Sequence, residues 1–492
     1  MGQNIDQLHF TEKHYVHFQQ KLFEQLEELK AIIAQPSFGK APLKIGAELE
    51  MYLVDKNGDA MLNNQILLEK LNDKQFQPEL NQYNLELNLS AVEQQGEPFS
   101  ELLAELTHKT AALEKTAQSL QTLVIPIGIL PTLKKSHLNT QCMTNIPRYS
   151  CLADHIYQQR GENFQVNING DESLSVDFSD ICAEGANTSF QVHLMTKPEQ
   201  LVNTFNAAQL TSPLVTAIAG NSAIFLGNAL WDETRIALFK QSLDVRLRDQ
   251  SQWQQPTRVN FGFGWLRKSI WELFAESVAL YPPLIPYINK EKSNQEVTNS
   301  KALPELCFHL GTIWPWHRPV YSSEENGHIR LEFRAIPAGP TNVDMLANAA
   351  FAIGLATGLQ NDIEELISYI PFRFAEYNFY RAAQHGLNAK ILWPTKNGYQ
   401  PQEVDIKQVI SKMLPIAHQG LISLNISNKE ASYYLTIIEQ RLAKQFTGAA
   451  WQKRTLKQME TTMTKEQACQ QLVQHYIKHC QSGEPVATWD GI

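Results

Sequence analysis

Two glutamates, Glu48 and Glu50, stand two residues apart in the segment 45–53, where apolar and polar residues alternate. Alternation of this kind predicts a strand, because successive side chains of a strand point to opposite faces. The two carboxylates then share one face and repel each other unless a cation lies between them. The segment therefore predicts a strand that presents ligands for a hard metal ion.

Three later segments, 85–89, 190–194 and 329–334, repeat this layout, with an apolar face opposite polar side chains. Magnesium takes oxygen ligands from carboxylates and substrate phosphates, and arginines hold phosphates through charge-assisted hydrogen bonds. An antiparallel sheet with one solvated face alternates in the same way and is the alternative. Against it, Lys and Thr, which are usual on a solvated face, are nearly absent from these segments. The polar side chains they add are Glu86, Gln191, His193, Arg330, Glu332 and Arg334.

The elements that must position these residues are strands within the first 340 residues, separated by helices. Apolar residues recur at helical spacing over 11–34, 65–71, 97–123, 197–219, 231–247 and 265–280, and two alternating segments, 163–168 and 173–178, predict a hairpin. Beyond residue 340 the pattern is almost wholly helical, with breaks near 394–401 and 425–428. This order predicts an α+β fold with a mostly antiparallel sheet, followed by a helical C-terminal region.

Composition excludes several classes of partner. The chain of 492 residues has a net charge of −9 and no basic stripe, which argues against nucleic acid as a main partner. Its six cysteines form no CxxC pair or zinc-ligand spacing and are typical of reduced thiols. No secretory signal precedes the first helix, and the longest apolar run, 345–359, is too short to span a membrane. We therefore expect a cytoplasmic protein that acts on small molecules.

Five motifs occur in order over roughly residues 44–360. They are Gly46-x-Glu48-x-Glu50, the glutamates Glu86 and Glu93 seven residues apart, Gln191-Val-His193, the loop at Asn221 followed by Arg235 and Arg246, and Trp314 to Arg318-Pro319 ahead of Glu332-x-Arg334. With these motifs the chain resembles the glutamate-cysteine ligase and carboxylate-amine ligase family, relatives of glutamine synthetase. The resemblance implies a curved sheet forming a funnel over residues 1–380, a glutamine synthetase-like catalytic domain, with a helical extension over 381–492.

The resemblance also implies two magnesium ions on the inner face of the funnel. Glu50, Glu86 and Glu93 resemble the ligands of the ion on the acceptor side. The ligands of the ion that bridges the ATP phosphates are matched by Glu48, Glu332 and the Gln191 position. His193 has two interpretations, a metal or substrate contact and an ordinary hydrogen-bonded histidine at the sheet edge.

Further roles are implied for several polar residues. Arg318, Glu332 and Arg334 are expected to act in catalysis, and the two arginines, with Arg330 and Gln191, to hold the nucleotide. Substrate contacts are implied for Asn221, Arg235 and Arg246. The last two arginines, three turns apart if they share one helix, could equally be solvated surface residues.

The activity implied by the resemblance is ATP- and Mg²⁺-dependent joining of a carboxylate, the γ-carboxyl of glutamate, to an amine such as cysteine, as in glutathione biosynthesis. Two alternatives stay open: a phosphotransferase, and a nucleotide-binding regulatory protein weakened in catalysis by Gln191. The polar segment 290–301 is a candidate lid over the intermediate. The helical C-terminal region either covers the sheet or forms an interface, for instance in a homodimer.

Overall fold

The computed structural model describes residues 5, 7, 9–246, 254–288, 301–395 and 398–489. The described residues form the following strands: β1 (Lys44–Val54), β2 (Phe76–Pro78), β3 (Asn84–Asn88), β4 (Val92–Glu93), β5 (Leu123–Ile125), β6 (Phe164–Asn169), β7 (Ser173–Phe178), β8 (Phe190–Met195), β9 (Ile224–Phe225), β10 (Asn228–Ala229), β11 (Val259–Asn260), β12 (Trp314–Pro315), β13 (His317–Ser322), β14 (His328–Phe333), β15 (Lys390–Thr395) and β16 (Gly398–Asp405).

The α-helices in the described ranges are α1 (Glu12–Ile33), α2 (Asn64–Leu71), α3 (Pro98–Gln118), α4 (Pro147–Arg160), α5 (Leu201–Ala219), α6 (Arg235–Ser242), α7 (Trp271–Leu280), α8 (Pro304–Leu310), α9 (Asn342–Gly358), α10 (Ile363–Tyr369), α11 (Phe372–His385), α12 (Ile406–Ser423), α13 (Asn428–Lys444), α14 (Gly448–Met459) and α15 (Lys465–Ser482).

One antiparallel sheet organises the fold, in the order β13-β14-β8-β1-β3-β2, with β4 and β5 also paired to β1. The sheet is curled into a half-barrel. Alternate residues of β1, from Ile45 to Leu53, form a buried apolar face, as their spacing predicts. The predicted α+β fold with a curved antiparallel sheet is confirmed.

Most predicted elements match the structure, including the helix at α1 and the hairpin of β6 and β7. The helix predicted over 231–247 is shorter, because α6 ends at Ser242. Arg246 lies beyond it, and its backbone N–H donates to the carboxylate of Asp244 at 3.1 Å. A local side-chain bond of this kind competes with helical backbone bonding.

The predicted break in the helical pattern near 394–401 is present, and strands β15 and β16 pair there as an antiparallel hairpin. Pro394 and Pro401 suggested a break since proline removes a backbone donor. In a sheet of two strands each strand has an unpaired edge, where a missing donor is tolerated.

Helix α12 packs closely on α9 through glycines. A Cβ atom at Gly354 would lie 2.5 Å from the carbonyl oxygen of Ala417, and one at Gly420 would collide with the carbonyl oxygen of Gly354. Only residues without a side chain allow this approach. The C-terminal helices therefore cover the helical layer that carries α9. The predicted division of the chain at residue 380 stays a prediction.

Within the described ranges, no single helix is long and apolar enough to cross a membrane. Helices α9 and α10 reach that threshold only as a pair, and they meet at an angle of 91°.

Candidate active site

Two groups of three metal-binding side chains lie on the polar face of the sheet. One consists of Glu48, His193 and Glu332, which we call the first triad, and the other of Glu50, Glu79 and Glu86, the second triad. In each triad the potential ligand atoms lie within 4.8 Å of one another. Strand pairing produces this arrangement, since His193 of β8 is opposite Glu332 of β14, and Glu50 of β1 is opposite Glu86 of β3.

The first triad is buried and only partly satisfied by the protein. The Nε2 atom of His193 lies 2.9 Å from a carboxylate oxygen of Glu48 and 3.9 Å from one of Glu332. Arg330 donates through Nε to Nδ1 of His193 at 3.2 Å, so Nε2 carries the ring proton that is donated to Glu48. The other carboxylate oxygen of Glu48 is buried without any hydrogen-bond partner.

The second triad concentrates negative charge. Burial, with the nearby Glu48 and Glu50, raises the pKa of Glu86 to about 8. Burial also raises the pKa of Glu79, and the charges of Glu86 and Glu50 add to this shift. Burial raises the pKa of Glu50, although Arg334 opposes the shift. A divalent cation among these carboxylates would stabilise their charged forms and so lower the three pKa values that burial raises.

Two arginines hold the neighbouring Glu332 in its charged form. Arg318 donates to it through two nitrogens at 2.7 and 3.0 Å, and Arg334 donates at 3.2 Å. Although burial raises the pKa of Glu332, these two guanidinium groups hold it well below its ordinary value. Gln191 connects the triads, because its amide donates to Glu50 at 2.9 Å and its carbonyl accepts from Arg334 at 2.5 Å.

The second triad and the arginines line a cavity of about 380 Å³. Its walls combine charged groups with apolar surface from helices α4, α7 and α8, which is the usual character of a small-molecule site. The charged lining residues outside the second triad are Arg148, Glu184, Arg318, Arg330 and Arg334.

Each predicted ligand set differs at one residue from the group that the structure brings together. The structure does not bring Glu93 to the second triad, since its exposed carboxylate accepts from the amide of Gln95 at 2.9 Å and its strand pairs at Lys44. Glu79 takes that place. Glu79 is also seven residues from Glu86, but the chain turns back between β2 and β3, so the two side chains come close together. Seven residues in an extended direction, as from Glu86 toward Glu93, would span about 23 Å.

The first triad contains His193 instead of the predicted Gln191. Both side chains share the polar face of β8, and the sequence alternation did not distinguish them. His193 lies opposite Glu332, while Gln191 lies opposite Glu48 and extends to Glu50 and Arg334. His193 is hydrogen-bonded to Glu48 and Arg330 and also belongs to the first triad, so both of its interpretations stay predictions.

Three predicted substrate contacts lie apart from the cavity lining. Asn221 is buried and donates to the carbonyl of Ala338 at 2.7 Å and to the hydroxyl of Tyr476 at 2.8 Å. Arg235 is paired with Glu233 at 3.1 Å, and it also donates to the backbone carbonyl of Arg334. The half-exposed Arg246 pairs with Asp244 at 2.7 Å. A substrate-binding role for these three residues stays a prediction.

Sequence reasoning missed Glu79, Arg148, Tyr149 and Glu184 of the cavity wall. The spacing from Glu79 to Glu86 was the available signal for the first of them. The other three lie on a helix start and a turn, where no alternation marks a shared face. Residues 290–300 of the predicted lid lie outside the described residues.

The donor sets fit magnesium. The second triad offers only oxygen atoms, and the first offers carboxylates with one imidazole, including the buried unpartnered oxygen of Glu48. Carboxylates on a partly hydrated wall suit Mg²⁺, which retains water and completes its shell with substrate phosphates.

The curled sheet with this polar face has the fold of a known class of ligase. It is similar to the crystal structure of glutamate–cysteine ligase from Francisella tularensis in complex with AMP, with a TM-score of 0.57 and 10% identity over 91% of this chain and 90% of that chain. A bifunctional glutathione synthetase from Pasteurella multocida gives a TM-score of 0.46 and 11% identity over 95% of this chain and 55% of that chain.

Residues 44–475 match the model of glutamate-cysteine ligase family 2, and the chain belongs to this family. Among curated protein sequences, none matches the chain.

Proposed function

We propose that this protein is an ATP- and Mg²⁺-dependent ligase that joins the γ-carboxyl group of glutamate to the amine of cysteine or a related amino compound. One observation carries the proposal: two triads of ligand side chains, linked by Gln191, lie beside the arginine-lined cavity. Membership of the family supports a carboxylate–amine ligase, and the AMP in the related Francisella structure supports the use of ATP.

Each triad would hold one ion. Glu48, His193 and Glu332 form the first position, and Glu50 with Glu79 and Glu86 forms the second. When bound, such ions offset the negative charge of ATP phosphates and of oxygens that gain charge during reaction.

The arginines orient the phosphate groups. Arg334 lies between Glu332 and Gln191 and lines the cavity, so its planar guanidinium can donate two parallel bonds to a phosphoryl group. Arg318 is fixed by its two bonds to Glu332 and cannot turn away from the cavity without breaking them. Both groups stabilise the charge that spreads over the transferring phosphoryl oxygens.

The reaction then has two steps. A carboxylate oxygen of the first substrate attacks the γ-phosphorus, the bond to ADP breaks, and an acyl phosphate forms. The amine of the second substrate attacks the carbonyl carbon, loses a proton, and inorganic phosphate leaves with the electron pair of the broken C–O bond. The arginine-lined wall stabilises the oxyanion of the tetrahedral intermediate.

The test is a coupled ADP-release assay with ATP, Mg²⁺ and glutamate labelled with ¹⁸O in its γ-carboxyl group, against a panel of twenty amines. We expect ADP formation that depends on one amine, an amide product by mass spectrometry, and one labelled oxygen in the released phosphate. ADP released without any amine would favour the phosphotransferase instead. ATP binding with no turnover across the panel would favour the regulatory protein.

A further inference from the structure

Glu184 is a carboxylate of the cavity wall that neither triad uses. It lines the same cavity as Glu50 and Arg334, and it belongs to neither group of potential ligands. Its neighbours Arg318 and Arg334 are engaged with Glu332. Among the described residues, the Glu184 carboxylate takes part in no hydrogen bond and no ion pair, so it is available to a ligand.

The turn that carries Glu184 is fixed by the surrounding core. The hydroxyl of Tyr52 donates to the carbonyl of Ala186 at 2.6 Å, and the amide of Asn81 donates to the carbonyl of Cys182 at 2.9 Å. The neighbouring Gly185 packs so tightly on Asn81 that a Cβ atom there would collide with its amide. The backbone that carries Glu184 is therefore fixed before any ligand arrives, which lowers the entropic cost of binding there.

The surroundings of Glu184 favour a cation. Burial and the charge of Glu50 raise its pKa to about 8, and Arg334 only partly opposes this shift. A magnesium ion needs several ligands in octahedral geometry, and none of the described acidic, histidine or cysteine side chains forms a ligand group with Glu184. An ammonium group needs only hydrogen-bond acceptors, so one carboxylate can hold it.

We propose that Glu184 binds the ammonium group of an amino-acid substrate. The proposal rests on the proposed function, because both glutamate and an acceptor such as cysteine carry this group. It makes Glu184 a specificity-determining residue: a substrate whose nitrogen is uncharged would leave the half-buried Glu184 carboxylate unpaired, which is costly.

The test measures binding by isothermal titration, with Mg²⁺ and the non-hydrolysable analogue AMP-PNP present. The probes are the twenty common L-amino acids, each beside its N-acetyl derivative. We expect wild-type protein to prefer the free amino form of at least one, and Glu184→Gln to weaken that form by about 10- to 100-fold, as for a lost charge-assisted hydrogen bond. The N-acetyl form carries no ammonium group, so Glu184→Gln should not weaken its binding. If L-glutamate alone loses affinity, Glu184 serves the carboxylate donor. If a different amino acid loses affinity and L-glutamate does not, Glu184 serves the acceptor.

Two variants control for indirect effects. Glu184→Asp should keep part of the affinity, since it retains the charge. Glu114→Gln should bind like wild type, because Glu114 is a half-buried carboxylate on α3 whose pKa burial also raises, but it is outside the cavity lining. Thermal unfolding should show all three variants folded.

The proposal is overturned if Glu184→Gln binds the free amino acids like wild type, or if wild type shows no preference for the free amino form. Binding here is measured without turnover. If the wild-type protein released no ADP with any amine of the panel, the proposed function would be overturned. An effect of Glu184→Gln on amino-acid binding would still support this inference.

Discussion

Two buried charged regions of this protein are organised in opposite ways. In the first, Asp344 of α9 and Arg441 of α13 are almost wholly buried and form an ion pair at 3.1 Å. The second oxygen of Asp344 accepts from the backbone N–H of Val486 at 2.9 Å and from the hydroxyl of Thr341 at 2.8 Å. Opposite charges meet there, and the contacts tie α9 to α13 and to the segment after α15.

In the second region, the cavity, like charges meet instead. Glu50, Glu79 and Glu86 approach within metal-ligand distance of one another, and Glu184 has no ion-pair partner in the described structure. Burying a carboxylate beside another lowers stability, and a fold retains such a group when a ligand supplies the missing charge. The comparison teaches that direct pairing of opposite charges, more than their burial, distinguishes a structural network from a binding site.

Removal of one partner from the balanced network should have the largest effect. Arg441→Met leaves Asp344 buried without its counter-ion, so we expect the free energy of unfolding to fall by about 3–5 kcal/mol, measured by urea denaturation. The double variant Asp344→Asn with Arg441→Met should recover part of the loss. A change below about 1 kcal/mol would contradict a structural role for the pair.

Glu79→Gln should reduce activity and leave the free energy of unfolding largely unchanged, in contrast to Arg441→Met. Metal-ion stabilisation of a transition state is worth several kcal/mol, so we expect Mg²⁺-dependent ADP formation to fall by about 10²- to 10³-fold. Glu93→Gln is the matched control and should stay within about twofold of wild type, as is usual away from a site. Equal losses in both variants would place Glu93 back among the ligands.

Arg334→Lys should have an intermediate effect. Lysine keeps the charge but cannot make two parallel bonds to a phosphoryl group, so we expect kcat/KM for ATP to fall by about 10- to 100-fold. Arg246→Lys, at a half-exposed arginine paired with Asp244, is the control. ATP kinetics like wild type in Arg334→Lys would remove this residue from the phosphate site.

The last prediction concerns pH in metal-free protein. The pKa of Glu86 is raised to about 8 when folded, above its ordinary 4.5, so the folded state binds more protons than the unfolded state between these values. The contribution of this group to stability should therefore be greatest below pH 4.5 and should decline as the pH rises toward 8. Thermal unfolding with and without Mg²⁺ measures it, and both Mg²⁺ and Glu86→Gln should flatten the decline. A decline unchanged by either would assign it to other groups.

Local periodicity predicted a large part of the site. Glu48, Glu50, Glu86 and Glu332 alternate with apolar residues on strands, and the pairing of those strands follows from burying their apolar faces together. Glu79 and Glu184 lie where the chain turns, and a turn has no repeating face from which a direction can be deduced.

The sequence was also unable to distinguish residues that share a face or a motif. Gln191 and His193 both point from β8 into the polar side, and only the register with β14 brings His193 into the first triad. Asn221 and Arg235 fit the family pattern, yet both are buried in contacts with the protein itself. A motif identifies where a residue lies in the sequence. Whether that residue is exposed to solvent depends on elements that are distant in the sequence and pack against it.

The contact between Asn221 and Tyr476 has a consequence for biosynthesis. Tyr476 accepts from Asn221 and donates to the carbonyl of Pro126 at 2.9 Å, so residues from three distant parts of the chain share one hydroxyl. A nascent polypeptide that has not yet released α15 from the ribosome lacks this hydroxyl, and the Asn221 amide and the Pro126 carbonyl lose a partner. We therefore expect prematurely terminated translation products to be poor enzymes even when every ligand side chain has been synthesised.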